Sequence, residues 1–172
     1  MRQSLTGIRL ALVLVTCLVG RAASAQSSAN VTLTVSSAGT PFPLPSAADF
    51  QAGYIDNPVP LAFNGNLKGP ANGNSYTSYV EVCALASTVG GGKSVADLLW
   101  RPSDLSAPFQ PLVLNCDGPV SASRLAGSYT LAKNTLQRNF SGSILLRLVL
   151  RWTDTATSYG VPLGFTTSMT QP

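Results

Sequence analysis

Proton transfer, nucleophilic attack and metal binding each need particular side chains, and this chain of 172 residues supplies few of them. It has no histidine. That removes Ser-His-Asp and Cys-His arrangements and the commonest metal ligand together. One run ends as a phosphate-binding loop does: Val89-Gly90-Gly91-Gly92-Lys93-Ser94. Such a loop wraps phosphates with backbone amides and needs a glycine five residues before its Gly-Lys pair. Ser87 stands there, so the run is read as a flexible hairpin loop. The seven acids are Asp49, Asp56, Glu81, Asp97, Asp104, Asp117 and Asp154. No spacing places two of them on one strand face, so a two-carboxylate hydrolase pair would have to be assembled by the fold. The loop acids carry no calcium-loop signature and are read as solvated residues and turn caps.

Asp154-Thr155-Ala156 follows an apolar stretch, as the catalytic turn of a retropepsin-like protease does. That mechanism needs two aspartates sharing a proton, the second from another copy. Ala156 also stands where that motif has glycine, so a polar turn is expected. The sequence thus predicts no catalytic residue, no metal and no cofactor. Binding chemistry has a better candidate. Tyr54, Tyr76, Tyr79 and Tyr129 are rings able to form a sugar-stacking face. Tyr76 and Tyr79 fall on opposite sides of one strand, so one of them is expected to point outward. Trp152 ends a core-facing series and is expected to be buried.

The elements that must position these groups read as β throughout. Val31, Leu33 and Val35 alternate with threonines; Val59, Leu61 and Phe63 alternate with Pro60 and Ala62; Val80, Val82 and Ala84 alternate with Tyr79, Glu81 and Cys83. Leu112 and Leu114 lead to Cys116. Period two marks strands with one packed face. Asn64-Gly65, Asn72-Gly73, the glycine triplet and Asp117-Gly118-Pro119 are the expected turns. Residues 143–152 form the strongest strand, with Ile144, Leu146, Leu148, Leu150 and Trp152 on one face. A hairpin is expected between it and a last strand carrying Val161, Leu163, Phe165, Thr167 and Met169. Pro41, Pro43 and Pro45 predict an extended or edge segment. Residues 94–100 read as a strand or a single helical turn capped by Ser94. Eight or nine short strands predict an antiparallel two-sheet sandwich of immunoglobulin-like architecture, with a small barrel as second choice.

Asp154-Thr155-Ala156-Thr157-Ser158-Tyr159 resembles the run before the second cysteine of an immunoglobulin variable domain, where a tyrosine closes a corner onto the backbone. Ser158 and Gly160 stand where that pattern has Tyr and Cys. Cys83 and Cys116 are also too close in sequence for its inter-sheet bridge. The likeness agrees with a sandwich and goes no further.

The chain's start sets its destination. Arg2 and Arg9 precede the apolar run Leu10-Ala11-Leu12-Val13-Leu14-Val15-Thr16-Cys17-Leu18-Val19-Gly20, and Ala23-Ser24-Ala25 fits a signal-peptidase site. Cleavage between Ala25 and Gln26 is expected, leaving residues 26–172 as one domain in the periplasm, at the cell surface or outside the cell. Thr16 stands before Cys17 where a lipobox has a small residue. No second run is long enough to span a bilayer. Arg2, Arg9 and Arg21 would leave with the leader, lowering the net charge from +4 to +1. No basic cluster remains for nucleic acid. Charged residues make up 10%, against roughly 25% in an average protein. Cys83 and Cys116 are expected to form a disulfide, worth roughly 3–4 kcal/mol in the chain-entropy model. Asn30-Val31-Thr32 and Asn139-Phe140-Ser141 fit the glycosylation acceptor pattern.

These features predict a non-enzymatic exported sandwich with a structural or adhesive role, a subunit of a surface assembly. The alternative is a carbohydrate- or polymer-binding module using the four tyrosines. The expected partners are a second copy or another envelope protein, by strand addition through residues 26–36, and a glycan. Pairing of that strand within its own domain is the simpler expectation.

Overall fold

Alternation along the chain becomes nine strands in the computed structural model, which describes residues 29–35, 42–70, 74–104 and 106–171. The leader, the Ala25-Gln26 cleavage pair, Pro41 and the Asn72-Gly73 turn lie outside the described residues. The strands are β1 (Asn30–Val35), β2 (Tyr54–Asp56), β3 (Leu61–Lys68), β4 (Tyr76–Ala84), β5 (Leu98–Pro102), β6 (Gln110–Pro111), β7 (Leu125–Leu131), β8 (Gln137–Val149) and β9 (Leu163–Thr170). They form two antiparallel sheets. The larger runs β1-β3-β8-β5-β6, with β2 also pairing β8; the smaller runs β7-β4-β9. This is the expected sandwich, and neither sheet closes into a barrel.

The core lies between the sheets. Leu61, Phe63, Leu67, Leu98, Trp100, Ile144 and Leu148 come from the larger sheet, Val80, Val82 and Leu131 from the smaller, and all are buried. Each buried aliphatic or aromatic chain of this kind contributes about 1.5–3 kcal/mol. Cys83 and Cys116 are joined as expected, with Cα atoms 5.4 Å apart. The bridge ties β4 to the segment that follows β6.

Five expectations are corrected. Asn64-Gly65 is not a turn but the middle of β3, paired with Thr34 and Leu33 on one side and Ser141 and Phe140 on the other. A Cβ at position 65 would lie 2.1 Å from the Phe140 ring and 2.6 Å from the Thr32 carbonyl. Glycine is there to let that ring approach. The strongest strand spans Gln137–Val149 rather than residues 143–152. It makes no hairpin with the last strand. β8 is already flanked by β2 and β3 on one edge and β5 on the other, so β9 pairs with β4 in the other sheet. The connection between them is tied down on its way: Leu150 N–H donates to the Gly53 carbonyl, Phe42 N–H to Tyr159, and Gly160 N–H to Val89. Trp152 therefore falls in a turn outside the strand and is exposed, not buried. Val59 also lies outside β3 and is exposed.

Residues 94–100 take both expected forms in succession. Ser94 caps one 3-10 turn, Val95–Asp97, and β5 follows. One element was not anticipated, the helix α1 (Ala47–Ala52) after the prolines. Its Ser46 side chain accepts from the Asp49 N–H, the Asp49 carboxylate accepts from the Ser46 N–H, and Gly53 at φ +80° ends it.

Candidate functional site

β1, β3 and the first half of β8 lie side by side, so their alternation writes a pattern on the sheet surface. Phe63, Leu67 and Phe140 point to the core, and Phe140 stacks on Tyr129 at 4.3 Å. The residues between them face outward. Register aligns Thr32 with Asn66 and Asn66 with Asn139; one pleat away it aligns Thr34 with Asn64 and Asn64 with Ser141. Thr32 Oγ1 donates to the Asn66 carbonyl at 3.4 Å, and Asn66 Nδ2 to Asn139 Oδ1 at 2.5 Å. These six residues line a shallow groove of about 480 Å³. The groove lining holds no charge and no titratable group. It can donate and accept hydrogen bonds, but it cannot transfer protons. Both acceptor-pattern asparagines, Asn30 and Asn139, are exposed.

The groove ends at a margin where, among the described residues, no further strand pairs. β1 is the last strand of the larger sheet and β9 the last strand of the smaller, and the two contact each other. Their apolar residues Val31, Leu33, Val35, Leu163, Phe165 and Met169 are only partly buried against the core.

The ionisable residues gather elsewhere. The Lys93 ammonium is buried between two carboxylates, 2.5 Å from Asp154 and 3.2 Å from Asp97. The glycine loop thus turns its lysine inward, and Thr88 bridges Ser94 across its base. Arg151 binds Asp97 through both terminal nitrogens, at 2.8 and 2.7 Å. The Arg151 hydrogen bond holds the Asp97 carboxyl below its usual value, against burial and with help from Lys93. Burial works to raise Asp154, but the Lys93 ammonium and the Arg151 N–H outweigh it and lower this carboxyl too. Two acids do meet here, yet both are held ionised. A two-carboxylate mechanism needs one of them pushed up to serve as proton donor. Glu81 is buried against Arg124 at 3.0 Å, Asp56 pairs with Arg147, and Asp49 caps α1. Asp104 and Asp117 lie exposed in turns.

The four tyrosines do not share one face. Tyr76 is 7% exposed and belongs to the core. Tyr129 is half-buried between the sheets, its hydroxyl donating to the Ser141 carbonyl. Tyr79 faces out from β4 in the smaller sheet, opposite to Tyr76 as expected. Tyr54 lies on β2 under the Arg147 guanidinium. Tyr159 is buried, and its hydroxyl donates to the Thr155 carbonyl, closing the turn onto its own backbone; it stands one residue past Ser158, which occupies the tyrosine position of the immunoglobulin run. An exposed indole lies elsewhere: Trp152, whose ring stacks at 5.9 Å on the half-buried Phe50. The sequence reading missed it by extending β8 too far.

Among the described residues no group of three or more His, Cys, Asp or Glu is placed to hold a metal ion, and no helix is long and apolar enough to cross a membrane. Comparisons of this chain with protein-family models, curated proteins and solved structures find no match.

Proposed function

We propose that this protein is an exported, non-enzymatic β-sandwich with a structural or adhesive role in the cell envelope or extracellular space, and that it self-associates through the margin where β1 and β9 lie. The observation that carries the reading is the state of those edges. A strand at the end of a sheet presents unpaired N–H and C=O groups, and natural proteins usually guard them with lysine, proline, bulges or a short strand. Neither β1 nor β9 contains a charged residue or a proline. The other margin is guarded. β6 is only two residues long and ends in Pro111, and Arg138 donates to the Thr130 carbonyl of β7.

Strand addition supplies affinity through backbone hydrogen bonds and specificity through alternate side chains. The Thr and Asn rows beside β1 would extend such a contact across the sheet. The acids support the non-enzymatic part, since five of the seven are engaged in ion pairs or caps.

Light scattering on the chain beginning at Gln26 tests this. Concentration-dependent dimers or larger species are expected, reduced by Thr32→Lys and Thr166→Lys, which place charge on the two open strands. A wild-type chain that stays monomeric up to its solubility limit overturns the reading. So does a turnover reaction lost on replacing a single acid.

A further inference from the structure

Among the described residues, Trp152 is the most exposed large apolar side chain, at 73%. It does not dangle. Its turn is closed on both sides: Asp154 N–H donates to the Arg151 carbonyl at 2.9 Å, and Arg151 N–H to Asp154 Oδ2 at 2.7 Å. Phe50 of α1 backs the indole, with 24° between the ring planes. Pro45, Ala47, Asp154 and Ala156 complete a shallow groove of about 340 Å³ around the two rings. An open indole mounted on a rigid turn is poor economy for folding, because it leaves a large apolar ring in water.

The electrostatics narrow what could cover it. Asp97 and Asp154 are matched by Lys93 and Arg151, so the groove has no net charge with which to select an anion or a cation. The hydrogen bonds at Asp154 end on Oδ2, which leaves Oδ1 as an acceptor at the groove wall. A flat apolar platform beside one ionised acceptor matches a ring with a C–H face and hydroxyls at its rim.

We propose that the Phe50–Trp152 groove binds a neutral saccharide, one sugar ring stacking on the indole while a hydroxyl donates to Asp154 Oδ1. This site is separate from the β1–β9 margin, and either assignment can fail without the other.

The two tryptophans make the test direct. Trp100 is fully buried, at 0% exposure, so a solvent-sensitive change in emission reports Trp152. The purified chain is titrated with cello-, chito-, malto-, xylo- and manno-oligosaccharides. A saturable blue shift or quench with at least one of them is expected, with half-saturation at roughly 1 mM, and unchanged between low and high salt as befits an uncharged ligand. Calorimetry with the same sugar should lose its binding signal in Trp152→Ala, weaken about tenfold in Phe50→Ala, and recover in Trp152→Phe. The melting temperature of Trp152→Ala should match wild type, since the ring is exposed. No saturable response to any of the sugars overturns the proposal. So does binding that survives Trp152→Ala undiminished, or binding confined to charged oligosaccharides and abolished by salt.

Discussion

β8 runs through two different surfaces. Its first half, with β1 and β3, shows Asn139 and Ser141 among threonines and asparagines. Its second half, beside β2 and β5, shows Arg147. That guanidinium binds both Asp56 oxygens at 2.7 and 2.9 Å. It also covers the Tyr54 ring at 3.8 Å and the Phe109 ring at 4.3 Å, and Arg101 joins it over Phe109 at 4.9 Å. One strand thus carries a charged end whose outward groups pair with one another and an end whose outward residues, Asn139 and Ser141, are uncharged. Packing is common to both ends. What differs is the kind of polar contact: a bidentate ion pair under aromatic rings at one end, neutral side-chain hydrogen bonds at the other.

Substitutions can separate the two ends. The largest effect is expected at Lys93, buried at the charged end. Lys93→Ala leaves Asp97 and Asp154 without their shared cation and should cost about 3–5 kcal/mol by urea unfolding. At the polar end, Gly65→Val drives a side chain into Phe140 and the Thr32 carbonyl. It should cost roughly 3 kcal/mol and loosen β1, read as faster amide exchange in residues 30–35. Acid should distinguish the ends next. Asp97 and Asp154 have folded-state values below the ordinary 3.8. Their contribution is therefore present above the unfolded value and is lost as pH falls through the folded one. The urea midpoint should hold down to about pH 5 and drop below about pH 4, and Lys93→Ala should flatten the drop. Arg147→Ala should cost about 1 kcal/mol, since this pair and its ring contacts are part-exposed. Asn66→Ser should change stability least, by about 0.5 kcal/mol or less, while altering self-association. Equal loss of stability from Arg147→Ala and Asn66→Ser would remove the contrast.

The sandwich was legible because each strand states its inner face in its own residues, as Ile144, Leu146 and Leu148 do. Partner choice was not. Whether β8 pairs with β9 depends on β2, β3 and β5 already occupying its edges, and no local pattern in residues 143–170 carries that information. Asn64-Gly65 misled for a related reason: its glycine answers to a ring on another strand, not to a turn. The Lys93–Asp97–Asp154 cluster joins two loops far apart in sequence, and only the i,i+4 spacing of Lys93 and Asp97 hinted at it. The capping box of Ser46 and Asp49 is written in the sequence, but Pro41, Pro43 and Pro45 just before it favour extended backbone. Trp152 was misplaced by three residues of strand length. That error decided whether it counted as core or as surface.

The covalent link between Cys83 and Cys116 has a mechanical consequence. It fastens the central strand of the smaller sheet to the segment arriving from β6, and both sulfurs lie beside the Gly164 carbonyl of β9. The two layers are bound there like pages at a spine. Opening the sandwich at that point requires the bridge to be cut, so reducing agents should lower the midpoint of urea unfolding.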